Sequence, residues 1–90
     1  MACYLIHYRL REENNNPNYE KLEEAIKSYG TYAHILTSCW AVVTNETAEE
    51  IRDYLLPNID DDDGLFVVRS GGEAAWSNLL CSDAWLEKHL

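Results

Sequence analysis

Hydrophobic positions in this chain fall in short blocks separated by polar turns. In residues 2–9, Cys3, Leu5 and His7 alternate with Ala2, Tyr4, Ile6 and Tyr8, so both faces are apolar. A strand that is apolar on both faces is buried on both, which predicts a central place in a sheet. Residues 11–17 are polar and turn-prone, and Asn16 before Pro17 suits an N-cap with proline in the first helical position. Tyr19, Leu22, Ala25, Ile26 and Tyr29 then recur at helical spacing, and Gly30 supplies the left-handed residue that ends a helix. Residues 31–36 and 40–44 read as two strands joined around Thr37, Ser38 and Cys39, with one long bent strand as the alternative.

Thr47 and Glu50 have the spacing of a capping box, followed by the stripe Ile51, Tyr54 and Leu55 and closed by Pro57. Asp60 to Gly64 is an acidic turn, and Leu65–Val68 is another apolar strand, broken by Ser70, Gly71 and Gly72. Ala74, Ala75 and Trp76 are expected to begin a short helical turn. Ser82 and Asp83 cap a last helix carrying Trp85, Leu86 and His89. The order predicts an α+β fold: a ferredoxin-like βαββαβ domain over residues 1–70 with a four-stranded antiparallel sheet, plus a helical C-terminal extension over 71–90. Two helices cover only one face of such a sheet. The other face then needs a second copy, the Trp-containing tail, or both.

Composition sharpens this picture. A chain of 90 residues is one small domain, and 47% of it is hydrophobic, a large apolar content for a small interior. No apolar run is long enough to cross a membrane, and the first residues lack a secretory n-region. Cys3, Cys39 and Cys81 form no Cys-x-x-Cys pair and read as free thiols of a reducing cytoplasm. The net charge of −9 disfavours a phosphate-backbone partner and suits a protein partner with a basic surface.

Candidate chemistry is sparse. The acidic run fails as a calcium loop, because its first and twelfth ligand positions fall on Ile59 and Ser70. Cys3 and His7 share a strand face but stand about 13 Å apart, too far for one zinc. No nucleophile motif surrounds Ser38 or Cys39. Tyr4, Tyr8, Tyr32, Trp40 and Phe66 would suit a base-stacking platform, but few cations accompany them, so core and interface packing is the expected role.

The strings Tyr4-Leu-Ile-His-Tyr-Arg-Leu10, Ser28-Tyr-Gly30, Ile35-Leu-Thr-Ser-Cys-Trp40 with Ala41-Val-Val-Thr44, Gly72-Glu-Ala-Ala-Trp76 and Ser82-Asp-Ala-Trp-Leu86 together resemble the small CRISPR-associated adaptation and endoribonuclease family. They lie nearest its SinR-like branch, with VapD-type toxins as distant relatives. The resemblance implies a ferredoxin-like protomer in a two-fold dimer. In the nuclease members the first strand ends in a Tyr-Asp pair whose acids hold a divalent metal across the dimer. Here the pair is Tyr8-Arg9, and a guanidinium cannot ligate a cation, so no metal ligand and no cofactor is carried over. The expectation is a homodimer acting through protein interaction in a defence or toxin–antitoxin setting, with Tyr4, Tyr8, Arg9, Trp40, Phe66, Trp76 and Trp85 as interface residues. Arg9 also suits a salt bridge to Glu12 or Glu13, or an anion. The rival is a nuclease or nucleotide-processing enzyme using Mg²⁺ or Mn²⁺ at a displaced site built from His7, Tyr8, Arg9 and Ser38.

Overall fold

The computed structural model describes residues 1–11 and 17–90. In chain order the elements are β1 (Ala2–Arg9), α1 (Pro17–Lys27), β2 (Tyr32–Leu36), β3 (Cys39–Thr44), α2 (Ala48–Leu55), a 3₁₀ turn (Leu56–Asn58), β4 (Gly64–Arg69) and α3 (Asp83–His89). The four strands form one antiparallel sheet in the order β2-β3-β1-β4. The doubly apolar β1 is thus central, as its two faces predict. The protein is α+β, and among the described residues no helix is long and apolar enough to cross a membrane.

Each face of the sheet carries its own core. On the first, Tyr4, Ile6, Tyr8 and Leu10 meet Trp40, Val42, Leu22 and Ile26 of α1, and Ile51 and Leu55 of α2. On the second, Cys3, Ile35, Cys39 and Ala41 meet Leu86 of α3, flanked by Trp76, Leu79, Cys81 and Trp85. The C-terminal segment therefore covers much of the face that two helices leave open.

Local signals place the helices. Gly30 sits at φ +85°, ending the α1 turn as its sequence position predicts. The capping box is formed: Thr47 Oγ1 accepts from the Glu50 N–H at 3.1 Å, and Glu50 Oε1 accepts from the Thr47 N–H at 2.9 Å. Ser82 caps α3 by accepting from the Trp85 N–H at 3.2 Å. The expected Asn16 cap lies outside the described residues.

One alternative is excluded and one expectation changes. Residues 31–44 form two strands around a tight turn at Thr37 and Ser38, with the register slipping between His34 and Leu36, so the single bent strand is excluded. The helical turn expected at Ala74–Trp76 does not form. A segment this short gains too few backbone bonds to nucleate a helix, and its Trp76 indole instead donates to Asp83 at 3.0 Å. That contact ties the extended chain to the first turn of α3.

Candidate functional site

The sequence singles out the end of β1, where His7, Tyr8 and Arg9 follow one another. Alternation sends them to different places. Tyr8 enters the first core, while His7 and Arg9 belong to the second face. Ser38 meets this strand through its backbone, its carbonyl accepting from the Tyr8 N–H at 3.1 Å.

The Tyr8 hydroxyl is committed to structure. It accepts from the Trp40 indole at 3.1 Å, and both residues are buried. Its proton is offered towards the Thr37 carbonyl at 3.4 Å or Glu23 Oε2 at 3.5 Å. Burial, with Glu23 close by, outweighs the indole bond and pushes the Tyr8 pKa up to about 12. A phenol held neutral in this way is a poor proton acceptor near neutrality.

His7 and Cys39, paired across β1 and β3, place Nε2 and Sγ 3.7 Å apart. Sequence spacing does not show this contact; the cross-strand register creates it. Burial pushes the Cys39 thiol pKa up, and neighbouring Cys81 adds to the effect. Reactive cysteines show the opposite, a thiolate stabilised by nearby positive charge. All three cysteines are free, and among the described residues no three His, Cys, Asp or Glu side chains are placed to hold a metal.

The acidic turn closes on itself and on Arg11. Asp63 accepts from the Asp60 N–H at 2.9 Å and the Arg11 N–H at 2.8 Å, and Asp62 pairs with the Arg11 guanidinium at 2.6 Å. Those backbone donors, Asp60 first, hold the Asp63 carboxyl below its ordinary range.

The expected interface residues divide by exposure. Tyr4, Tyr8 and Trp40 lie in the first core, and Trp76 and Trp85 pack in the second. Arg9 is exposed, and Phe66 is 62% exposed. Phe66 faces His7 across the strand pair, ring centres 5.9 Å apart. Together with Arg9, Gly64 and Leu65 they line an open depression of about 430 Å³. Among the described residues Arg9 forms no ion pair; Glu12 and Glu13, its expected partners, lie outside them.

Four arginines border β4 at separate points. Arg9 lies opposite Gly64, Arg69 ends the strand, Arg11 pairs with Asp62 just before it, and Arg52 lines a hollow with Leu65, Phe66 and Val67. The sheet order sets them beside one strand, with Arg9 and Arg69 at its two ends. No known protein-family profile matches this sequence, and no curated protein matches it.

Proposed function

We propose that this chain is a ferredoxin-like, homodimeric protein of the SinR-like kind that works by binding a protein partner rather than by metal-dependent cleavage of RNA. The observation carrying this reading is the end of β1. An exposed arginine without an ion pair among the described residues follows a tyrosine whose hydroxyl is buried against Trp40. Arg9 repels a divalent cation, and His7, Tyr8, Arg9 and Ser38 do not converge on one point from which a reacting group could be addressed. The strand order β2-β3-β1-β4, with α1 and α2 on one face, supports the ferredoxin-like assignment. The family kinship rests on the sequence strings alone.

The net charge of −9 suits a partner with a basic surface, and free thiols suit a reducing cytoplasm, where a defence or toxin–antitoxin role would be played. The experiment is a pair of assays on the purified full chain. Stoichiometric capture of a protein encoded beside it, with no turnover of RNA, DNA or nucleotides in Mg²⁺ or Mn²⁺, is the expected result. Turnover lost in Arg9→Ala or His7→Ala would replace this reading with the enzymatic one.

A further inference from the structure

The two edges of the sheet differ. On β2 the register is irregular, and the Leu80 N–H from the C-terminal segment donates to the Ile35 carbonyl at 3.0 Å. On β4 no such cover exists among the described residues. The Ser70 N–H points inward, to the Cys3 carbonyl at 2.9 Å. By strand alternation the backbone groups of Phe66 and Val68 also point towards β1, and those of Leu65, Val67 and Arg69 point out from the free edge. This edge borders the exposed Phe66 and Val68, on the part of the second face that the tail leaves uncovered. A bare, regular, apolar edge is a template for another strand.

We propose that β4 is the dimer interface: two copies join edge to edge, antiparallel, about a two-fold axis through Phe66, making one continuous eight-stranded sheet. This assignment rests on the homodimer reading above and says where that dimer forms. Two copies each carrying −9 repel at long range, but screening in physiological salt confines that repulsion to about 8 Å, so local pairs decide. Local charge along β4 is polarised, with Asp60 to Asp63 before the strand and Arg69 at its end. An antiparallel partner crosses these ends, whereas a parallel one sets like against like.

The register follows from the same pairing. With the axis at Phe66, Arg69 falls opposite the partner's Asp63, Val68 opposite the partner's Gly64, and the two phenyl rings side by side. With the axis at Val67, Arg69 would instead meet the partner's Leu65, and the charge match is lost. The hollows on either side of the strand, one with Arg9 and His7 and the other with Arg52 and Glu49, receive alternate side chains of an added strand. A nucleic-acid strand lying on one face would engage only one of them.

The test uses the full chain with Cys81→Ser as background, since Cys81 is half-buried whereas Cys3 and Cys39 are buried. Sedimentation or light scattering gives the mass, and oxidation of Phe66→Cys and Val67→Cys variants gives the register. Residues at a non-hydrogen-bonded antiparallel pair approach to about 4.5 Å between Cα atoms, within disulfide reach. The expected results are a dimer, a covalent dimer from Phe66→Cys but not from Val67→Cys, and a folded monomer from Phe66→Lys. A dimer that survives Phe66→Lys and never cross-links at Phe66 would overturn the edge assignment and leave the homodimer reading standing. A monomer at all concentrations would overturn both, including where an added peptide then binds β4.

Discussion

The indole N–H of Trp40 donates to the Tyr8 hydroxyl at 3.1 Å, inside a core where both residues are nearly closed to solvent. His34 stacks on the ring of this tryptophan, ring centres 4.2 Å apart and planes 9° from parallel. The bond therefore joins β1, β3 and, through the stacked ring, β2.

Removing one partner of a buried bond leaves the other unsatisfied, which costs about 1–3 kcal/mol. Tyr8→Phe should lower unfolding free energy by about that amount in urea titration, because it strands the Trp40 N–H. In a double-mutant cycle with Trp40→Phe, the second loss should be smaller than the first. Strict additivity would show that the bond contributes nothing.

The same hydroxyl sets an alkaline limit. Its pKa is raised to about 12 in the fold against an ordinary value of 10. The stabilisation is thus complete below pH 10 and is lost as pH rises through about 12, at a cost of up to about 2–3 kcal/mol. Tyr29, whose hydroxyl donates to Glu46 Oε1 at 2.7 Å, is raised by burial and then by that carboxylate, and acts in the same direction. Stability measured from pH 9 to pH 12 should fall, and less steeply in Tyr8→Phe. An equal slope in both proteins would assign the loss to other groups.

Much of the framework was legible in the sequence because local chemistry dictates it. A doubly apolar strand is central, Thr47 with Glu50 makes a capping box, and Gly30 ends a helix through its positive φ. These signals act over one to four residues, so the sequence carries them undistorted. The candidate site was harder to read, since cross-strand register, not spacing, brings His7 to Cys39 and Arg9 to Gly64. Tyr4, Tyr8 and Trp40 stood out as a possible surface because aromatic residues suit interfaces and cores alike. Only the placement of α1 and α2 decides that these three lie inside.

Cap energetics give a third expectation. Thr47→Ala removes the hydroxyl that accepts from Glu50 and should destabilise the fold by about 1 kcal/mol. Thr47→Ser should retain most of the stability, since it keeps the acceptor. Equal melting temperatures for the two variants would mean that α2 is held by its buried Ile51 and Leu55 alone.

The fourth expectation concerns the tail. Leu86 is fully buried against Cys3, Ile35, Cys39 and Ala41. Leu86→Ala should therefore cost about 2–5 kcal/mol, as loss of a core leucine does elsewhere. A tail that merely rested on a finished domain would show a much smaller loss. Thiol chemistry separates these cases from global unfolding. Burial raises the pKa of both Cys3 and Cys39 and makes them slow to react. If α3 is what closes that face, Leu86→Ala should speed alkylation of Cys39 under conditions where the far-ultraviolet spectrum is still native. Unchanged alkylation in a folded variant would show that the sheet protects Cys39 without α3.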